Sequence, residues 1–260
     1  MGSSEWWTLP IFVEHPDRWV SCALAEWRQR APSRFPGAGD WQSSPVWQTE
    51  AEIAAIGRLD EFEERRLAAE RAYVQERTEM ESQLSAATNA ADQGERRLLT
   101  HQGGDLVAEV ISTLREIGFN VTDVDETISA PGDRREDIRV ADPTIPDWIA
   151  IGEVRGYVRG AQLNDLLRLA RFVARFVRES GREPDRTWYI VNQFFALSPT
   201  ERPRPLEANP AEVETFGEGG GTVIDTRDLF VLRMRVRRGE LASEAARALL
   251  RQAGARLDLK

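Results

Sequence analysis

The alternation of apolar and polar positions divides the chain into helical and extended segments. Apolar residues that recur every three or four positions lie on one face of a helix, whereas alternating or short continuous apolar runs are typical of strands. Helices are predicted over 20–27, 49–91, 105–117, 162–178 and 241–250, with another opening at Thr226 as its N-cap, and strands over 119–124, 138–140, 148–156, 188–193 and 222–225. The proline-rich segment 198–218 is predicted to be a loop. A strand, a helix and a strand between 148 and 193 imply a right-handed crossover, and hence an α/β domain with a mixed sheet flanked by helices.

The predicted strand over 148–156 carries an acid and a cation on one side. Side chains point the same way at every second position of a strand, so Glu153 and Arg155 emerge together. A local ion pair at an exposed strand end is one interpretation of these charges. Asp137 offers another, because it stands just before the short strand 138–140 and a proline-containing loop then turns the chain back. Two adjacent strands joined in this way can bring Asp137 and Glu153 to one point.

Paired carboxylates beside a cation suit a hard divalent metal and a phosphate group. Mg²⁺ takes oxygen ligands and is usually held by one or two carboxylates together with substrate phosphate. Asp137 and Glu153 are therefore candidate ligands for Mg²⁺ or Mn²⁺, and Arg155 is a candidate phosphate contact.

This arrangement resembles the PD-(D/E)XK nuclease superfamily, which has the restriction-endonuclease-like fold. The resemblance covers roughly Leu98 to Leu232. In that family a helix carrying an acid precedes a hairpin, an Asp begins the second strand, and the third strand ends in Glu-x-Lys before a helix that packs across the sheet. The matching positions here are Glu109, Asp137 and Glu153-Val154-Arg155.

The resemblance implies a divalent-metal-dependent nuclease that hydrolyses DNA phosphodiester bonds. Asp137 and Glu153 would hold the metal, Arg155 would stabilise the developing charge, and Glu109 would support the metal through water. Further substrate contacts are expected from the end of the third strand and from the helix after it: Arg159, Asn164 and Arg168. Asn192 and Gln193 end the next strand, where they either face substrate or cap the turn that follows.

The family's lysine is replaced by Arg155, which changes the available chemistry. A lysine can lose its proton and help activate water, whereas a guanidinium stays charged and can only orient or neutralise phosphate. Lys260 is the only lysine in the chain, which indicates a general bias against lysine. If the metal generates the nucleophile, Arg155 suffices as an electrostatic clamp; if a protonatable lysine is required, the site is slow or inactive.

Composition narrows the setting of the protein. The 260 residues allow one sizeable domain with an appendage, and the net charge of −9 argues against a general polyanion binder without excluding a local basic groove. The sequence has no apolar run long enough to cross a membrane and no basic start followed by an apolar segment, so neither membrane insertion nor secretion is expected. Cys22 is the single cysteine, which is compatible with the cytoplasm.

The first predicted segment, 1–48, is a tryptophan-rich N-terminal cap. Its six tryptophans are Trp6, Trp7, Trp19, Trp27, Trp41 and Trp47. Exposed tryptophans can stack on bases, but packing within the cap or at a partner interface is the interpretation we favour, since aromatic residues dominate cores and interfaces.

The second predicted segment, 49–93, is a long helical arm, and the third, 94–260, is the nuclease-like domain. The arm is rich in good helix formers and carries a narrow apolar seam with interleaved charges. A coiled coil or a helical hairpin would bury such a seam. We expect the arm to form a homo-oligomer or to bind a partner protein, with packing on its own domain as the alternative.

Two functional hypotheses follow. The first is a Mg²⁺-dependent DNA endonuclease, acting in phage defence or DNA processing. The second is a nuclease fold that has lost catalysis and serves as a nucleic-acid-binding or protein-binding assembly module, which Arg155 and the acidic total charge favour.

Overall fold

The structure, a computed structural model, describes residues 13, 15–35, 44–127 and 135–259 of the chain. The chain forms two compact units, Met1–Glu81 and Ser82–Lys260, and the boundary between them falls within one long helix. Among the described residues, no helix is both long and apolar enough to cross a membrane. The predicted segments 1–48, 49–93 and 94–260 stay predictions.

The first unit is helical in its described part. Helix α1 covers Pro16–Arg30, and α2 covers Glu50–Gln93, a single helix of 44 residues about 66 Å long. A helical hairpin in this region is therefore wrong. A reciprocal cap starts α2: the Thr49 amide donates to the Glu52 carboxylate, and the Glu52 amide donates to the Thr49 hydroxyl.

Apolar side chains of the arm remain exposed along α2, which has no buried residue. They include Ile53, Leu59, Phe62 and Met80. Trp19 and Trp47 are also exposed, whereas Trp27 packs on Phe35 with 5.5 Å between ring centroids. Trp6, Trp7 and Trp41 lie outside the described residues, so the cap stays a prediction.

A five-stranded mixed sheet organises the second unit. The strands are β1 (Asn120–Asp123), β2 (Ile138–Ala141), β3 (Ile149–Tyr157), β4 (Arg186–Gln193) and β5 (Gly221–Asp225), and they lie in that order in the sheet. The pairs β1–β2 and β2–β3 are antiparallel, whereas β3–β4 and β4–β5 are parallel. The predicted mixed sheet flanked by helices, preceded by a long helix, is thus confirmed.

Helices cover the sheet on both faces. The helices of the second unit are α3 (Arg97–Thr100), α4 (Gly103–Ile117), α5 (Val124–Thr127), α6 (Leu163–Ser180), α7 (Pro210–Glu218), α8 (Thr226–Arg237) and α9 (Ser243–Gln252). Apolar residues of α4, α8 and α9 pack with Trp188 and Ile190 on one face, and residues of α6 and α7 pack with Tyr189 and Val191 on the other. These four residues alternate along β4, so a single strand supplies both layers of the core.

Two local predictions are wrong. Segment 198–218 is not a loop throughout, because α7 begins at Pro210; proline is favoured in the first turn of a helix, where its missing amide is not needed. The N-cap of α8 is Asp225 rather than Thr226, since the Asp225 carboxylate accepts from the Arg227 amide at 2.9 Å.

Replacing Gly152 by alanine should destabilise the second unit by about 1–3 kcal/mol, the usual cost of overpacking a core. Gly152 pairs with Ile138 across β2 and β3, and an added Cβ would lie 2.8 Å from Cγ1 of that fully buried side chain. Gly254→Ala is the matched control, because a Cβ there meets nothing within 4 Å. The check is urea denaturation of both variants; equal midpoints would contradict the packing argument.

Candidate functional site

The junction of β2 and β3 brings the two predicted carboxylates together. The Asp137 amide donates to the Gly152 carbonyl at 3.0 Å, which extends the β2–β3 ladder to the residue before β2. The Val154 amide donates to the Asp137 carboxylate at 2.6 Å. This hydrogen bond fixes the Asp137 side chain against the backbone of β3, next to Glu153.

Arg155 joins these two acids from the same side of β3 as Glu153. Its guanidinium contacts Oε1 of Glu153 directly and lies 3.9 Å from Oδ2 of Asp137. Glu153 is only 3% exposed, and its second oxygen, Oε2, has no hydrogen-bond partner among the described residues. A buried carboxylate oxygen without a partner is costly, which marks this point as a place for a cation or a donor.

Burial and mutual repulsion favour protonation of the pair. Loss of solvation raises the pKa of Glu153 to about 8, and the neighbouring Asp137 charge adds to this effect, while Arg155 opposes it. Burial likewise raises the pKa of Asp137 to about 6, against the lowering effects of Arg155 and the Val154 amide. Glu153 therefore holds its proton near neutral pH, and additional positive charge beside it would favour its ionised form.

The two carboxylates fit a divalent cation that is completed by water or substrate. Among the described residues, no three or more His, Cys, Asp or Glu side chains are grouped so that they could hold a metal by themselves. Two carboxylates, one of them with a buried oxygen that has no described partner, match the small protein contribution that Mg²⁺ usually receives.

A cleft of about 610 Å³ opens beside the pair. Asp137 and Arg155 lie in its wall, together with residues from the start of α4 and from the β1–α5 segment: Gln102, Gly103, Gly104, Val107, Ala108, Asp123, Asp125, Glu126, Val154 and Gly156. Asp137 and Arg155 are therefore reachable from outside, and the cleft wall also carries three other acids, Asp123, Asp125 and Glu126.

Gly156 allows the start of α4 to form part of this cleft. A Cβ at Gly156 would lie 2.6 Å from the backbone Cα of Gln102, so only glycine permits this approach. The side-chain amide of Asn192 donates to the carbonyl of His101, which precedes Gln102, at 2.8 Å. Both contacts hold the turn before α4 against the carboxyl ends of β3 and β4.

Three residues that were not predicted from the sequence lie next to the site: Tyr157 at the end of β3, Tyr189 of β4 and Asp165 of α6. Tyr157 follows Arg155 on the same side of the strand, and its hydroxyl donates to the Asp165 carboxylate at 2.6 Å. The hydroxyl of Tyr189, the cross-strand neighbour of Glu153, lies 2.6 Å from that of Tyr157. The period-two spacing of Glu153, Arg155 and Tyr157 was the available signal. The link to Asp165 ties the first turn of α6 to the site.

Glu109, predicted to support the metal through water, contacts Arg233 in the described chain and not the carboxylate pair. Arg233 of α8 donates to Glu109 at 2.5 Å and to Glu116 at 2.6 Å, and Arg237 contacts both Glu116 and Glu95. Glu109 is almost fully buried in this α4–α8 ion-pair chain, and the cleft wall is instead formed by its neighbours 107 and 108.

The five residues predicted to contact substrate fall into two groups. Arg159, Asn164 and Arg168 are exposed, and Arg168 pairs with Asp165 at 2.7 Å. Asn192 and Gln193 are buried. Asn192 also accepts from Arg202 at 3.0 Å, while Gln193 donates to the Pro203 carbonyl and accepts from the Ala161 amide. Asn192 and Gln193 were predicted either to face substrate or to cap the turn that follows. Their contacts fit the second role, because both residues hold loops in place.

Solved structures that are partly similar to this chain in fold include those of one restriction endonuclease. Restriction endonuclease FokI matches with a TM-score of 0.41 and 13% identity, over 63% of this chain and 30% of that chain. FokI bound to DNA matches with a TM-score of 0.42 and 12% identity, over 59% of this chain and 28% of that chain. The chain thus spans less than a third of either protein. No family model and no curated protein matches the sequence.

Replacing Glu153 by glutamine should stabilise the metal-free protein, by a margin that grows with pH. A raised pKa means that the folded state binds the proton more tightly than the unfolded chain, so this contribution is complete at acidic pH. It is lost as pH rises from the ordinary glutamate value of 4.5 through about 8. An amide does not titrate and avoids that loss. Urea denaturation with EDTA at both ends of this range is the measurement.

The control for this comparison is Glu201→Gln, at an exposed position on the short 3₁₀ helix Pro199–Glu201. The prediction would be contradicted if the difference in unfolding free energy between wild type and Glu153→Gln were the same at both pH values. Ionisation of the buried Glu153 would then not destabilise the folded protein.

Proposed function

We propose that the protein is a divalent-metal-dependent nuclease that hydrolyses DNA phosphodiester bonds. The observation that carries the proposal is the buried pair of Asp137 and Glu153 with Arg155 in contact, beside a cleft whose wall includes Asp137 and Arg155. One oxygen of Glu153 lacks a described partner. The order of helix, hairpin, acidic strand end and crossover helix supports it, since the resembled family has that order. DNA as substrate rests on the same resemblance.

Asp137 and Glu153 would hold Mg²⁺ or Mn²⁺ through their carboxylate oxygens. When bound, such a cation lowers the pKa of water and shields the charge of the phosphate. The protein would keep the two carboxylates buried and adjacent. In the metal-bound state both must also be ionised, and the hydrogen bond from the Val154 amide favours the ionised form of Asp137. Glu109 has no part in this proposal, because Arg233 engages its carboxylate.

Arg155 would act on the phosphate rather than on the nucleophile. Its guanidinium reaches both carboxylates and also lies in the cleft wall, so it places fixed positive charge where the phosphate gains negative charge during hydrolysis. Because arginine stays protonated, it cannot take the proton of the attacking water. Proton removal then falls to solvent or to the carboxylates.

The direct contact between Arg155 and Glu153 favours a second candidate, a nuclease fold that binds nucleic acid without cutting it. A guanidinium on Oε1 of Glu153 partly satisfies the carboxylate that a metal would use. In that case the cleft would bind phosphate through Arg155 alone. Either function would serve phage defence or DNA processing in the cytoplasm.

Glu153→Ala should abolish metal-dependent cleavage while leaving the fold intact, and Arg155→Lys should preserve or increase the rate. Plasmid and single-stranded DNA with Mg²⁺ or Mn²⁺ are the substrates, and exposed Glu201→Ala is the control. Full activity in Glu153→Ala would refute the metal site. Activity that arises only in Arg155→Lys would identify the non-cutting alternative.

We also propose that the arm α2 mediates self-association through its exposed apolar side chains. Replacing Leu59 and Phe62 by glutamine should lower the molar mass measured by size-exclusion chromatography with light scattering, because both side chains are more than half exposed in the single chain. Glu61→Gln on the same helix is the control. A wild-type protein that stays monomeric at high concentration would overturn the proposal.

A further inference from the structure

Helix α6 carries four arginines on one side: Arg168, Arg171, Arg175 and Arg178, the α6 arginine stripe. Their spacing of three, four and three residues places them within a sector of roughly 80° at 100° per residue, over about 15 Å of helix. The buried residues Leu166, Leu169 and Phe176 lie on the opposite side. The stripe therefore faces away from the core.

The stripe is the centre of a positive segment in an acidic protein. Helix α6 itself contains four arginines and two acidic residues, a net charge of +2, whereas the whole chain has a net charge of −9. A local positive surface on a negative molecule attracts anions selectively to that surface.

Two of the four stripe arginines lie near described acids. Arg168 pairs with Asp165 at 2.7 Å, and Arg175 lies 3.8 Å from Glu179. Glu179 is itself shared, since Arg135 and Arg139 donate to it at 2.7 and 2.8 Å. Arg171 and Arg178 are exposed and form no ion pair with a described residue, so they supply positive charge on this side of α6.

The stripe begins next to the carboxylate site. The Tyr157–Asp165 hydrogen bond fixes the first turn of α6 to β3, two residues beyond Arg155. From there the four arginines continue along the helix at intervals of about one turn. A polyanion with its reacting phosphate at Arg155 would find its neighbouring phosphates opposite the stripe.

We propose that the α6 arginine stripe binds the phosphate backbone of the nucleic acid on one side of the cleavage point. The identity of the polyanion as DNA rests on the proposed function, whereas the binding itself does not require catalysis. Backbone phosphates of one strand advance about 3.4 Å per nucleotide, so a stripe of about 15 Å matches roughly four of them. The contacts carry no base readout, and binding is therefore independent of sequence.

The experiment measures binding to a fluorescent DNA duplex by anisotropy over a series of NaCl concentrations, with EDTA and in the Glu153→Gln background. Each phosphate contact contributes about −0.9 to the slope of log K against log salt. Changing all four stripe arginines to glutamine should reduce the steepness by about 3–4, and Arg171→Gln alone by about 0.9.

A charge-matched control uses four exposed arginines of α2, namely Arg58, Arg65, Arg71 and Arg77, changed to glutamine. The control should keep the wild-type slope. Replacing the four stripe arginines by lysine should also keep it, which separates loss of charge from a folding defect in the glutamine variant.

An unchanged slope in the stripe variant would overturn the inference, and so would an equal loss in the control or no binding by the parent protein. An unchanged slope together with stripe-dependent binding of an acidic polypeptide would assign the stripe to a protein partner. Failure of the nuclease proposal has a different result, because the wild-type protein would then bind DNA with the stripe-dependent slope and yet leave it uncut in Mg²⁺.

Discussion

The second unit depends on holding two carboxylates side by side in a place largely closed to solvent. Asp137 and Glu153 come from adjacent antiparallel strands, and burial makes their like charges expensive. Three features offset that cost in part: the Val154 amide, the Arg155 guanidinium, and the protonation that raised pKa values permit. The close β2–β3 pairing at Gly152 and the buried Ile138 are the structural conditions for this arrangement, because Ile138 follows Asp137 and Gly152 precedes Glu153 in the chain.

Arginine at position 155 places a cation beside both carboxylates, as a lysine could, but it differs from lysine in its chemistry. A lysine ammonium is compact and can give up its proton, whereas a guanidinium spreads its charge and reaches two acids at once. Arg155 thus gives the pair a permanent counter-charge and supplies no proton acceptor. The remaining free oxygen of Glu153 shows that the compensation is incomplete within the described chain.

What the sequence could predict depended on how local the signal was. The apolar run of β3 and the period-two spacing of Glu153 and Arg155 are properties of consecutive residues, and they were sufficient for the strand and for the shared face. Asp137 followed because a short loop leaves few ways to pair two strands. The partner of Glu109 is Arg233, 124 positions away, so no local pattern could show that its carboxylate was already engaged.

The Tyr157–Asp165 and Tyr157–Tyr189 contacts were hidden for a related reason. Tyr189 becomes the neighbour of Glu153 only through the parallel register of β3 and β4, which depends on how the crossover helix packs. Helix α7 was missed because Pro210 and the prolines before it were taken as helix breakers, although proline suits the first turn of a helix. For the tyrosine contacts the missing information was tertiary, whereas for α7 it was local.

The α4–α8 ion-pair chain has a mechanical consequence. Glu95, Arg237, Glu116, Arg233 and Glu109 form a continuous series of contacts that starts just beyond the end of α2 and ends inside α4. Gln102, just before α4, lies so close to Gly156 of β3 that a Cβ there would not fit. The residues that follow α2 are therefore connected to the wall of the cleft, first through charged contacts and then through the backbone of α4.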